Sequence, residues 1–229
     1  MAPFVNRIAG GRFRFGGVDH VVPPDPAGGP HALHGDGWRR PWTVESVAAD
    51  TARLSLTDGA AWPWRRRIEH SLTLTDRSLH VAAEITNTDD RAMPAGLGWH
   101  PTFARRALAG VRLSAGGFHP TTDDLPRPPE ALPSDWPFAS GVSAASLAPI
   151  DHCLTGWGGV ADIVWPDISV RLAAVNCRFL QVYVPTGGDG FCLEPQTSAP
   201  NAVNHGEDFG LRILPPGGRL AIEVSLTIL

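Results

Sequence analysis

Apolar and polar residues alternate one by one along several stretches of this chain, the two-residue period of a half-buried β-strand. In Ser71-Leu72-Thr73-Leu74-Thr75 the leucines share one face, and from Ser78 to Thr86 the alternation resumes after Asp76-Arg77. The pair predicts a β-hairpin turning at Asp76-Arg77, with one face buried. Ile168–Leu172 and Arg219–Leu226 carry the same period, and Phe179–Val184, β-prone and largely apolar, predicts a central strand. Glycine (25 residues) and proline (22) interrupt the chain throughout, at a spacing that leaves no room for long helices. Many short strands separated by turns predict an all-β sandwich or barrel. The segment from Phe118 to Pro149 is rich in Pro, Ser, Ala and Asp and lacks a sustained period. A connection of that length predicts a surface excursion bordering a site. With no internal repeat and no linker between two cores, residues 1–229 are expected to form a single domain.

Composition narrows the function more than the fold. Apolar residues make up 43% of the chain and charged residues 18%, an ordinary globular balance. The net charge of −4, from 19 basic and 23 acidic groups, offers no basic surface for nucleic acid. No apolar run reaches the roughly 20 residues of a membrane span, and the opening MAPFVNRIAGGRF has no signal-peptide core. Cys153, Cys177 and Cys192 are odd in number with no C-x-x-C pair, so neither a disulfide framework nor a zinc knuckle is indicated and a cytoplasmic location is expected. The chain contains no lysine, which excludes Schiff-base chemistry, lysine-bound pyridoxal phosphate and a lysine P-loop.

Four polar clusters sit among turn residues, and each admits a structural reading beside a functional one. Asn6-Arg7-Ile8-Ala9-Gly10-Gly11 is a strand start with a Gly-Gly turn, or a place where Arg7 meets a ligand. His31–Trp42 holds two histidines, two glycines and two tryptophans. It is a turn anchored by packed indoles, or a loop whose Trp38 offers an apolar face to a sugar ring and an N–H to hydrogen-bond. In Gly96–Phe103, His100 lies between Trp99 and Pro101, in backbone that proline stiffens, and an imidazole there can act as acid or base near neutrality. Glu194 ends an apolar strand just before a polar loop. It is an ordinary strand-end carboxylate, or one desolvated enough to be a stronger base. A metal site built from His34, His100 and Glu194 is weakened by the absence of H-x-H or H-E-x-x-H spacing, and no G-x-S-x-G supports a serine triad.

Taken in order, the motifs N-R-I-A-G-G-R-F from Asn6, L-H-G-x-G-W-R-R-P-W from Leu33, G-x-G-W-H-P-x-F from Gly96, D-H-C-L-T-G-W from Asp151 and C-L-E-P-Q-T-x-A-P-N-A-V-N from Cys192 resemble those of the aldose 1-epimerase (galactose mutarotase) family. The resemblance covers nearly the whole chain and is nearest to the shorter bacterial members. It implies an antiparallel β-sandwich, the galactose mutarotase-like supersandwich, with an open cleft, and it implies strands ahead of the N-R-I motif, which here begins at Asn6, so that either the true start lies upstream or the leading strands are missing. It implies an isomerase that interconverts the α and β anomers of a free monosaccharide without cofactor or metal. Glu194 would be the general base at the C1 hydroxyl and His100 the general acid at the ring oxygen O5. His34 would assist at the ring oxygen, and Arg7 and Asp151 would hold sugar hydroxyls. Removing a proton at O1 while adding one at O5 opens the hemiacetal, which recloses on the other face after rotation about C1–C2. On this reading Glu194 and His100 face each other across a pyranose-sized gap, and their attraction lowers the carboxylate pKa and raises that of the imidazole. Two alternatives keep the fold: a sugar-binding module without catalysis, and an enzyme of sugar phosphates drawing on Arg39, Arg40, Arg65, Arg66 and Arg67, arginines that otherwise read as a solvated strand face.

Overall fold

A computed structural model describes residues 1–59, 61–105, 110–134, 136, 138–143 and 149–229. Among these residues two antiparallel sheets dominate. The larger has nine strands, in the order Val142–Ser143, Gly110–Leu113, Val160–Val164, Ser169–Val175, Arg219–Ile228, Ser78–Asn87, Arg66–Leu74, Thr51–Thr57 and Thr43–Val47. The smaller has five: Thr102–Ala104, Gly190–Gln196, Phe179–Val184, Ile150–Thr155 and Gly117–His119. The expected hairpin is present, with Leu72 opposite Val81 and Leu74 opposite Leu79. Phe179–Val184 is the central strand of the smaller sheet. Helix is confined to Ala202–His205 and a few 3-10 turns, and none of the described helices is long and apolar enough to cross a membrane.

The core fills the space between the sheets. Leu56, Ile68, Val81, Ile85, Ile163 and Leu172 from the larger sheet form one cluster with Leu154, Leu180, Val182 and Leu193 from the smaller. Each strand of a sheet presents alternate residues to opposite faces, and in the smaller sheet that alternation separates core from site. Ile150, Leu154, Leu180, Val182 and Leu193 face the core. Asp151, Cys153, Gln181, Tyr183, Cys192 and Glu194 take the other face, in register across three strands. Cys153 there joins a separate apolar cluster with Phe179, Ala199 and Phe209.

Two expectations change. The segment from Phe118 to Pro149 is more than a surface excursion: Phe118 pairs in the smaller sheet and Phe118 and Phe138 are buried. Trp136 packs on Phe118 at 5.1 Å between ring centroids. Isolated aromatic anchors hold it, which a search for periodicity does not detect. Its residues 135, 137 and 144–148 lie outside the described residues.

The arginines, likewise, are not one solvated face. Arg66 is 1% exposed, and its Nη2 donates to Asp36 Oδ1 at 2.5 Å. This pair ties the loop carrying His34 and Trp38 to the larger sheet. Removing one partner strands the other charge in the interior, at a cost of about 3–5 kcal/mol. Asp36→Ala is therefore expected to lower the unfolding free energy by that amount, read as a lower urea midpoint at an unchanged m value, whereas Arg77→Ala, at an exposed site, should change the unfolding free energy by under about 0.5 kcal/mol.

Candidate active site

Glu194 owes its position to the alternation of its strand. With Leu193 and Pro195 turned to the other face, the carboxylate enters the polar face of the smaller sheet, opposite Gln181. It is 2% exposed, and Oε2 has no hydrogen-bond partner. His100 reaches it from a segment bolted to the end of the same strand. Leu97 N–H donates to Thr197 Oγ1 at 3.0 Å and Trp99 N–H to Pro195 O at 3.0 Å, and Gly98 forms a bridge with Gln196. A Cβ on Gly98 would lie 3.1 Å from Pro195 O and Gln196 Cβ, so the close approach needs glycine.

The His100 Nε2 lies 3.2 Å from Glu194 Oε1. The expected pyranose-wide gap is absent; the two side chains touch. Both are held at one strand end, His100 through the hydrogen bonds of Leu97 and Trp99 to Thr197 and Pro195. The expected mutual pKa shifts are also reversed. Burial pushes Glu194 well above the ordinary carboxylate range, with Asp151 adding to the effect. Burial likewise lowers His100 below its ordinary value. Loss of water outweighs the attraction between the two.

His34 is fixed in one form. Its Nδ1 accepts the Asn6 N–H at 3.2 Å, while its own N–H donates to Asn6 O at 2.8 Å. A neutral imidazole that accepts at Nδ1 carries its proton on Nε2. Burial, reinforced by His100, pushes its pKa down to about 2, so the ring stays neutral. The residue sits at φ +56° and is followed by Gly35 at φ +71°, where a Cβ would come within 2.1 Å of Ala2 O. The ring stands edge-on to His100 at 5.2 Å and to Trp38 at 5.6 Å.

Arg7 pairs its short strand with Ala32–Leu33, and its carbonyl accepts the Asn201 N–H at 2.7 Å. Its Nη1 lies 3.6 Å from Asp151 Oδ2 and its Nη2 lies 3.9 Å from Asp124 Oδ1, loose ion pairs that leave donors available. Trp38 corrects a further expectation. Its indole N–H is taken by Leu33 O at 3.3 Å, and Arg39 covers one ring face with its guanidinium 3.7 Å from the centroid. The N–H is not free for a ligand.

All six residues singled out from sequence, Arg7, His34, Trp38, His100, Asp151 and Glu194, line one cavity of about 740 Å³. Tyr183 and Asp124 line it too and were missed. Tyr183 shares a face with Glu194 by strand register, a signal visible only once the strands are paired. Asp124 lies in the aperiodic segment, which here borders the cavity. His34, His100 and Glu194 also place one ligand atom each within 4.8 Å of one another, a donor set that zinc accepts.

A family model described as aldose 1-epimerase matches residues 1–227. The Escherichia coli (strain K12) protein YphB, whose own function is uncharacterized, is 27% identical over 252 residues, which cover 100% of this chain and 82% of YphB. A crystal structure of an E. coli K12 protein described as a candidate aldose 1-epimerase superposes with a TM-score of 0.91 at 26% identity, covering 100% of this chain and 82% of that one. A galactose mutarotase-like protein from Clostridium acetobutylicum superposes with a TM-score of 0.87 at 20% identity, covering 99% and 77%, and shares the fold.

The burial of these groups makes stability depend on pH with a definite sign. The folded chain keeps a proton on Glu194 that the unfolded chain has lost above its ordinary pKa of 4.5, so burying this group costs more as pH rises past that value. Glu194→Gln is expected to unfold at higher urea than the wild type at pH 7.5, with the advantage vanishing near pH 4. For His34, the unfolded chain gains a proton below about 6.5 that the folded chain refuses, so its contribution to stability falls as pH drops below 6.5. Nitrogen-15 NMR of the ring is expected to show the Nε2–H tautomer unchanged from pH 5 to 8.

Proposed function

The chain belongs to the aldose 1-epimerase family, and from that membership we propose that it is a mutarotase acting on a free aldose. The observation that carries the reading is the 3.2 Å contact between His100 Nε2 and Glu194 Oε1 at the wall of a cavity of about 740 Å³. Glu194 takes the proton from the C1 hydroxyl while His100 delivers one to O5. The C1–O5 bond breaks, C1 and O1 become the aldehyde, and rotation about C1–C2 presents the other face. Closure reverses both transfers, so each group returns to its starting form.

The pKa directions suit these tasks. A carboxylate raised by burial is a stronger base, and an imidazolium lowered by burial is a stronger acid. The two titrate as a unit, and the competent form has the single proton on His100 and Glu194 ionised, a form that burial disfavours and that hydroxyls donated by a bound sugar restore. His34, neutral with Nε2–H facing the cavity, is a fixed donor to the ring oxygen region and does not shuttle protons. Arg7 and Asp151 hold hydroxyls, and the exposed part of Trp38 gives the sugar an apolar edge.

The sugar-phosphate reading loses support from the arginines it invoked. Arg39 is paired bidentately with Asp25, Arg40 with Asp36 and backbone carbonyls, Arg65 with Asp89, Arg66 with Asp36, and Arg67 with Glu45 and Glu69. None of the five lines the cavity.

Polarimetry on fresh α-glucose and α-galactose tests the proposal. The protein is expected to speed the decay of optical rotation. Glu194→Gln and His100→Asn should each reduce kcat by about 10²–10⁴-fold with unchanged circular dichroism. Unchanged decay over a panel of aldoses, from folded protein, rejects the enzyme. Tight sugar binding without acceleration would point to the non-catalytic module instead.

A further inference from the structure

The aperiodic segment contributes one carboxylate to the cavity. Thr121–Thr122 and Leu125–Pro126 form a two-residue hairpin, with Thr122 opposite Leu125. Asp123 and Asp124, at its tip, have φ of +49° and +63°. Positive φ at both central residues is the type I′ arrangement, usually occupied by Asn and Gly. Aspartate is tolerated at such positions, but nothing in turn geometry favours a charge there.

The hairpin is held from several sides. His31 Nδ1 accepts the Gly10 N–H at 3.1 Å, which leaves its Nε2–H to donate to Asp123 O at 3.2 Å. His119 Nδ1 contacts Arg127 O at 2.8 Å, and Thr121 Oγ1 donates to Asp151 O at 2.9 Å. So fixed, the tip keeps the Asp124 side chain, 58% exposed, 3.9 Å from the Arg7 guanidinium. Arg7 thus stands between two carboxylates, Asp151 at one Nη and Asp124 at the other. It is the only arginine or lysine lining the cavity among the described residues. Its single charge is outweighed by the pair.

We infer that Asp124 is a specificity-determining residue: held at the rim by the clamped hairpin, it accepts hydroxyls of an uncharged aldose and repels sugars bearing a phosphate or carboxylate. The inference rests on the mutarotase reading for its reaction, though not for its binding preference. Rejection arises because an anion meets two carboxylates, while Arg7 is already matched by them and the Met1 ammonium, the other cation lining the cavity, is buried, donates to Gly98 O at 2.8 Å and is lowered by burial to a pKa of about 6; like-charge contact of this kind discriminates partners. A neutral polyol, by contrast, finds acceptors on Asp124 and Asp151 and donors on Arg7.

The test compares the wild type with Asp124→Asn and Asp123→Asn. Asparagine is favoured at positive φ, so both variants keep the turn, and both remove one negative charge, only one of them at the cavity. Anomer exchange of glucose and glucose 6-phosphate is measured by magnetisation-exchange NMR, and binding of each sugar by calorimetry. The wild type should prefer glucose. Asp124→Asn should raise kcat/KM and affinity for glucose 6-phosphate by about 10-fold or more, and raise KM for glucose with kcat nearly held. Asp123→Asn should leave the ratio between the two sugars at the wild-type value. An unchanged ratio in Asp124→Asn, or an equal change in Asp123→Asn, overturns the inference while exchange of glucose by the wild type leaves the mutarotase reading standing. No exchange of any aldose by the wild type overturns that reading alone, since calorimetry still decides whether Asp124 discriminates.

Discussion

A carboxylate buried on the polar face of a sheet is the constraint around which this protein is arranged. Glu194 is 2% exposed with one oxygen unpartnered, and no such group is buried without a penalty. The period of two in its strand places it there: Leu193 must face the core, so Glu194 must face away from it. What covers that second face is therefore decisive. The cover consists of the segment from Asn6, the loop around His34, and the loop that carries His100. All three approach the ends of the central strands, and none of them has a regular element long enough to stand alone.

From that burial the electrostatics follow. Removing water raises the affinity of Glu194 for a proton and weakens the hold of His100 on its own, so one physical cause moves both groups. His34 illustrates the opposite use of the same cause. There burial, together with a backbone N–H given to Nδ1, eliminates titration and leaves a donor of fixed direction. Two imidazoles with centroids 5.2 Å apart thus take different chemical roles because one is capped by the backbone and the other faces a carboxylate. The stability given up to hold Glu194 is offset elsewhere, in the core between the sheets.

Much of this was legible in the sequence, and the limits have physical causes. The hairpin around Asp76-Arg77 and the central strand at Phe179–Val184 show in periodicity because burial is local and periodic. The six cavity residues show as motifs because each lies within a few residues of Gly, Pro or Asn. What could not be seen depends on where chain meets chain. The indole N–H of Trp38 turned out to be committed to Leu33 O, a contact of loop with itself. Arg66 sits in a run of three arginines and is nonetheless buried against Asp36. Only strand pairing reveals that Gln181 and Tyr183 share a face with Glu194. The pKa directions were misjudged because attraction between two charges is readable from their identities, while the water they lose is not.

The Asn-rich end of the last motif shows how distant motifs amount to one structural unit. Asn201, at φ +58°, accepts the Ala9 N–H on its side chain at 3.1 Å and gives its own N–H to Arg7 O at 2.7 Å. Asn204 then donates to Asn201 Oδ1 at 2.8 Å and to Arg12 O at 3.0 Å. On its other side the same segment is held by Leu33 pairing with Arg7 and by His34 exchanging two hydrogen bonds with Asn6. A segment two residues into a strand cannot hold an arginine in place by itself, since fixing each backbone residue costs about 1–2 kcal/mol. Held from both sides, Arg7 is ordered by the fold itself. Placement of its backbone therefore depends on the strand that carries Glu194, because Asn201 lies in the loop that follows that strand. Arg7 and Glu194 are positioned by a single length of chain, and a shift in one carries the other with it.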